Sequence, residues 1–127
     1  MARLEHANIT VGDAHKTAAW LGRVFGWHIR WEGSALSGAG LTVHVGSEDS
    51  YLALFQPKAT APGARPDHST LGQLNHVGFV VDDLPAVKRA IEAEGYHAFN
   101  HEKYEPGERF YFYDENHVEY EIVTYDA

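Results

Sequence analysis

Residues 4–13 read LEHANITVGD and residues 74–83 read LNHVGFVVDD, so that Leu, His, Val and Asp recur in register. The match continues downstream, where a glycine followed by an aromatic residue and a histidine stands at Gly26 in the first copy and at Gly95 in the second. An internal repeat of this length indicates one supersecondary unit present twice.

The two repeated histidines occupy the same place in their strand patterns. In residues 6–11 polar and apolar residues alternate, which is typical of a strand with two different faces, and His6 is on the polar side. His76 holds the equivalent position in the second copy. A duplicated fold brings equivalent positions near a pseudo-twofold axis, so His6 and His76 are candidates for one site.

The rest of each copy predicts a β-α-β-β-β order. Asp13 and Asp83 are suitable helix N-caps, and Gly26 and Gly95 are suitable helix ends. The predicted elements are a strand at 3–11, a helix at 14–25 and strands near 27–32, 41–46 and 50–56, then a strand at 73–82, a helix from 84 to Gly95 and strands near 97–101, 108–114 and 117–125.

The segment between the copies contains three of the five prolines and is predicted to be a linker. We therefore expect a single α+β domain, residues 1–127, with one module at 1–56, the linker at 57–73 and a second module at 74–127.

Composition excludes several classes of function. Ten basic against eighteen acidic residues give a net charge of -8, which disfavours nucleic acid and anionic membranes as partners. The chain has no cysteine, so disulfides, thiolate metal sites and a cysteine nucleophile are excluded. No apolar run approaches membrane-spanning length, and a cytoplasmic location is predicted.

The last predicted hairpin separates its residues onto two faces. One face is apolar: Phe110, Phe112, Val118, Tyr120 and Ile122. The other is largely polar: Arg109, Tyr111, Tyr113, Glu119, Glu121 and Val123. Because polar groups are costly to bury without partners, the second face predicts a hydrated cavity.

These motifs resemble those of the vicinal oxygen chelate superfamily, which includes glyoxalase I-like lyases, extradiol dioxygenases, fosfomycin-modifying enzymes and bleomycin resistance proteins. The resemblance rests on His6, on His76 and on the closing run FYFYDENHVEYEI at 110–122. It implies two βαβββ modules whose mixed sheets form a cup with the helices outside. It also implies a metal held by His6, His76 and a carboxylate of the last strand.

The identity of that carboxylate stays open between two residues. A gap-free count from Asp114 favours Glu121, whereas a shorter turn gives Glu119 on the same face. The corresponding position in the first module is Ala53, so the fourth ligand of glyoxalase I-type members is missing. Two histidines and one carboxylate hold Mn, Fe, Ni or Zn and leave coordination positions open.

The chemistry of such a site suggests roles for the neighbouring side chains. Glu119 and Glu121 are the candidate catalytic residues, with Glu119 as a base or proton shuttle beside the ligands. Arg109, Tyr111 and Tyr113 are candidates for orienting substrate oxygens. Six histidines have no paired pattern and are predicted to be surface or loop residues: His15, His28, His68, His97, His101 and His117.

Two functions are compatible with this reading. The first is a divalent-metal-dependent lyase, dioxygenase or transferase that acts on a small molecule with vicinal oxygens. The second is a metal-free protein of the bleomycin-resistance type that binds a drug or metabolite. The resemblance further implies a homodimer, in which each cup forms either within one chain or across the subunit boundary.

Overall fold

The computed structural model describes residues 1–35, 38–104 and 106–125. The chain forms two compact units, Met1–Ala61 and Pro62–Ala127. Each unit has the β-α-β-β-β order, so the predicted α+β class with two βαβββ modules is confirmed. That the two modules form a single domain joined by a linker at 57–73 stays a prediction.

The two units share one sheet topology. The first contains β1 (His6–Thr10), α1 (Ala14–Phe25), β2 (His28–Ser34), β3 (Gly40–Gly46) and β4 (Tyr51–Pro57). The second contains β5 (Val77–Val80), α2 (Leu84–Ala93), β6 (Phe99–Tyr104), β7 (Gly107–Tyr113) and β8 (Glu119–Tyr125). The strand orders are β1-β4-β3-β2 and β5-β8-β7-β6, with the first strand of each unit parallel to the last.

Both helices begin at the aspartates that the sequence predicts. The Asp13 side chain accepts a hydrogen bond from the Lys16 backbone N–H at 3.1 Å, and Asp83 accepts one from the Ala86 N–H at 3.1 Å. Such caps satisfy backbone donors that have no partner within the helix. At its other end α1 stops at Gly26, whose φ of 72° suits glycine.

The first strand of each unit is shorter than predicted. Pairing begins at His6 rather than residue 3, and in the second unit at Val77 rather than residue 73. These strands are regular only where β4 or β8 lies beside them, and β5 pairs solely through the four residues 77–80. His76 therefore stands immediately before β5.

The β7–β8 hairpin has the two faces that its sequence predicts. Phe110 pairs with Ile122 and Phe112 with Tyr120, and all four are at most 1% exposed. The burial of each side chain of this size stabilises the folded state by about 1.5–3 kcal/mol. The opposite face carries the pairs Arg109–Val123, Tyr111–Glu121 and Tyr113–Glu119.

Within the described residues, no helix is both long and apolar enough to span a bilayer.

Candidate functional site

His76 and Glu121 lie together in the second unit. The His76 Nε2 is 3.1 Å from the Glu121 Oε1, and the His76 Nδ1 is 2.7 Å from the Asn75 Oδ1. Both ring nitrogens of His76 therefore face oxygen acceptors. A neutral imidazole has a single N–H and can donate to only one of them, so satisfying both contacts takes either a second ring proton or a cation at one of the two nitrogens.

The other oxygen of Glu121 is held by two donors from β7. The Arg109 Nη1 donates to the Glu121 Oε2 at 2.8 Å, and the Tyr111 hydroxyl donates to the same atom at 3.3 Å. The Arg109 and Glu121 side chains are only 13% and 14% exposed. These contacts fix the carboxylate so that Oε1 is the oxygen presented to His76.

Glu119 has a different partner. Its Oε1 lies 2.7 Å from the Nε2 of His68, and its side chain is 6% exposed. Burial and the neighbouring Glu119 both raise the pKa of the Tyr113 phenol. The two candidate carboxylates of β8 therefore belong to separate pairs, Glu121 with His76 and Glu119 with His68.

The contact between His68 and Glu119 is one that the sequence does not predict. His68 is a half-exposed residue outside the helices and strands, as its sequence pattern predicts, but its ring contacts a buried carboxylate. A signal for local order is present, since Asp67 accepts hydrogen bonds from the backbone N–H groups of Ser69 and Thr70 at 2.8 Å each. Nothing in that turn identifies Glu119 as the partner.

The equivalent place in the first unit is aromatic rather than acidic. Asn8 pairs with Ala53 as Gly78 pairs with Glu121, so Ala53 corresponds to Glu121 and offers no donor. The His6 ring stacks on Tyr51 at 4.9 Å between centroids, and Tyr51 stacks on His44 at 4.6 Å.

The Glu5 carboxylate is the polar partner of two of these rings. The His6 Nδ1 lies 2.8 Å from the Glu5 carboxylate, which also accepts from the Tyr51 hydroxyl at 3.0 Å. Burial lowers the pKa of His44. His6 belongs to the first unit and His76 to the second, and their joint role stays a prediction.

The second unit supplies two suitable metal donors. Taken by itself, neither unit gathers three His, Asp or Glu side chains that could hold an ion, as far as residues 1–35, 38–104 and 106–125 are concerned. The 3.1 Å between the His76 Nε2 and the Glu121 Oε1 nevertheless suits neighbouring ligands, since bonds of about 2.1 Å at right angles put two donors about 3 Å apart. An imidazole and a carboxylate also suit Mn, Fe, Ni or Zn chemically.

Comparison with known proteins gives a family and a fold. The family described as Glyoxalase/Bleomycin resistance protein/Dioxygenase superfamily matches residues 3–122. A glyoxylase/bleomycin resistance protein/dioxygenase domain from Frankia sp. EAN1pec is 15% identical, with a TM-score of 0.82 and 99% of each chain covered. No curated protein matches the sequence.

The fosfomycin resistance protein FosX from Listeria monocytogenes is also similar in structure. One of its crystal forms is 18% identical, with a TM-score of 0.74, and the match covers 99% of this chain and 95% of FosX. A FosX variant crystallised with Mn(II) and 1S,2S-dihydroxypropylphosphonic acid is 20% identical, with a TM-score of 0.71 and coverage of 96% and 89%. At these identities the likeness shows the fold.

Proposed function

Because this chain belongs to the glyoxalase/bleomycin resistance protein/dioxygenase superfamily, we propose that it is a divalent-metal-dependent enzyme acting on a small molecule with two vicinal oxygens. The observation that carries the proposal is the contact between the His76 Nε2 and the Glu121 Oε1. The complex of FosX with Mn(II) and a vicinal diol supports this chemistry by analogy of fold.

The proposed metal ligands are His76 and Glu121 from the second unit and His6 from the first. His6 is included because it repeats the position of His76, and it would come either from the same chain or from the second chain of a homodimer. A divalent ion bound there supplies a Lewis acid that stabilises negative charge on the substrate oxygens.

The surrounding residues have distinct proposed tasks. Arg109 and Tyr111 hold the Glu121 Oε2, so their direct effect is to orient the ligand carboxylate. Outer contacts of this kind are worth about tenfold to a hundredfold in metal affinity. Glu119 is the proposed base and His68 orients it, while Tyr113 forms part of the substrate-binding wall.

Metal titration of chelator-treated protein tests the proposal. We expect the wild type to bind Mn(II), Fe(II), Ni(II) or Zn(II) stoichiometrically in calorimetry, and H76A to bind at least about tenfold more weakly. His28→Ala is the matched control, because His28 is exposed and its only carboxylate neighbour in the described residues, Glu48, lies 3.9 Å away. Failure of the wild type to bind any of the four ions contradicts the proposal.

A metal-free binding protein of the bleomycin-resistance type is the second candidate. It is favoured by Ala53, which stands where a metal-ligating side chain could be. It is also favoured by Arg109, whose positive charge already balances the negative charge of Glu121. A small molecule whose binding raises the melting temperature equally with and without EDTA supports this candidate. The homodimer, the cytoplasmic location and the absence of nucleic-acid partners remain predictions.

A further inference from the structure

The second unit contains a cavity that the proposed metal site does not use. It has a volume of about 360 Å³ and is lined by Arg65, His97, Phe99 and Tyr113. That volume lies at the lower end of the range for small-molecule sites, and a mostly apolar wall with few polar groups is what such sites have in common. The lining combines two aromatic rings with one cation and one imidazole.

Arg65 is placed to receive an anion. Its guanidinium lies over the Tyr113 ring, 4.1 Å from the centroid. No ion pair joins Arg65 to a carboxylate within the described part of the chain, and the neighbouring acid Glu119 is bonded to His68. A guanidinium at this distance from an aromatic ring still has N–H groups that the ring does not engage, and their fork matches the two oxygens of a carboxylate.

The segment that carries Arg65 is held against the sheet. Three residues further on, His68 contacts Glu119 of β8, and Asp67 closes the local turn through Ser69 and Thr70. The Asp67 N–H also donates to the Gln73 side chain at 3.0 Å. Arg65 is thus supported by an ordered connection, which reduces the entropy lost when a ligand binds.

The aromatic wall of the cavity continues to the metal-ligand pair. The Phe99 ring stacks on Tyr113 at 5.1 Å and lies 6.1 Å from Tyr111. The Tyr111 hydroxyl in turn donates to Glu121. Tyr111 and Tyr113 are two positions apart on β7, which separates them by about 7 Å along the strand. An aromatic ring that bears a carboxylate has about this length, so one small molecule can extend from the cavity to the metal-ligand pair.

We infer that Arg65, His97, Phe99 and Tyr113 form a subsite for the flat, carboxylate-bearing end of the substrate. The ligand class is an aromatic or conjugated carboxylate. Its flat face packs against the edges of the Phe99 and Tyr113 rings, which are stacked on each other, and its anionic group pairs with Arg65. The inference rests on the proposed function only in assigning the other end of the same molecule to His76 and Glu121.

Benzoate is the probe that tests the subsite, in EDTA so that no metal takes part. Titration followed by ¹⁵N and aromatic NMR shifts should show saturable binding that moves the signals of Phe99 and Tyr113. We expect R65Q to bind benzoate at least about fivefold more weakly, because a charged hydrogen bond is lost. Arg89→Gln removes an exposed charge from α2 and should leave the affinity unchanged.

Two comparison ligands separate the charge from the ring. Benzamide keeps the ring without the charge, and cyclohexanecarboxylate keeps the charge without the flat face; each should bind at least about fivefold more weakly than benzoate. Arg65→Lys keeps the positive charge and should retain part of the affinity, which guards against a folding defect in R65Q. Equal benzoate binding by wild type and both Arg65 variants overturns the inference.

Metal titration of the same samples separates the two proposals. Unchanged Mn(II) affinity in R65Q, with weakened benzoate binding, supports the subsite. If benzoate binds through Arg65 and no metal binds, the metal-enzyme proposal is contradicted and the subsite is supported. If metal binds and benzoate does not, the subsite is contradicted and the metal-enzyme proposal is supported.

Discussion

The Nε2 of His68 lies 2.7 Å from the Oε1 of Glu119, so the segment of the second unit that precedes β5 contacts the last strand of that unit. Glu119 is buried and His68 is half exposed. The histidine thereby gives the carboxylate a partner that solvent does not provide, since a buried polar group without a hydrogen bond costs about 1–3 kcal/mol.

His68→Ala should accordingly lower the free energy of unfolding by about 1–3 kcal/mol. A double-mutant cycle with Glu119→Gln, measured by urea denaturation, should give a coupling energy of about 1 kcal/mol. His15→Ala is the control, because its pair with Glu32 is 53% and 44% exposed and should be worth less than about 0.5 kcal/mol. Additivity of the two changes would contradict the pairing.

Arg109→Met should destabilise the protein by about 2–3 kcal/mol, because Glu121 is left nearly buried without its cation. Methionine keeps most of the side-chain volume, so the loss reports on the charge. Lys103→Met is the matched control: Lys103 is 81% exposed and lies 3.5 Å from Glu108, and it should cost less than about 0.5 kcal/mol. Chemical denaturation of both variants measures the difference, and equal costs would be inconsistent with this account.

Metal affinity should distinguish the two carboxylates of β8. We expect E121Q to weaken Mn(II) binding at least about tenfold, because the Glu121 carboxylate faces the His76 Nε2 at 3.1 Å. Glu119 faces His68 instead, and E119Q should change the affinity by less than about threefold. Calorimetric titration measures the Mn(II) affinity of the two variants. A larger loss of affinity in E119Q than in E121Q would indicate that Glu119 is the ligand.

The buried carboxyl group of Asp114 should make the free energy of unfolding depend on pH. Burial raises its pKa above the usual 3.8, although Asp114 accepts hydrogen bonds from the Val118 N–H and the Tyr120 hydroxyl. A carboxyl with a raised pKa binds protons more tightly when folded, so its stabilising contribution is complete below pH 3.8 and is lost as the pH rises through the folded pKa.

The advantage of wild type over D114N should therefore shrink as the pH rises from about 3 to about 7. Urea denaturation of both proteins at several pH values measures it. A difference that grows with pH would mean that the hydrogen bonds outweigh burial.

Much of the fold follows from the repeat in the sequence. Local features of the sequence are enough to predict the two aspartate caps, the order of elements and the two faces of the β7–β8 hairpin. The extent of β5 does not, because the predicted strand covers 73–82 whereas only Val77–Val80 pair with β8, and pairing depends on where the distant strand β8 lies.

The candidate site was predictable only in part. Side-chain parity places Tyr111 and Glu121 on one face, and their cross-strand pairing follows from the hairpin. The contact between His68 and Glu119 joins residues 51 positions apart through an irregular segment, where neither periodicity nor capping rules apply. Arg65 over Tyr113 was unforeseen for the same reason.

The stretch from Arg65 to His68 has a consequence for protein engineering. It lies in the second unit before β5, so a graft that exchanges it for a neutral spacer of equal length would keep every helix and strand while removing Arg65 from the proposed subsite. Ligand preference in designed hybrids of such duplicated proteins would then follow the origin of this short stretch as much as that of the sheets.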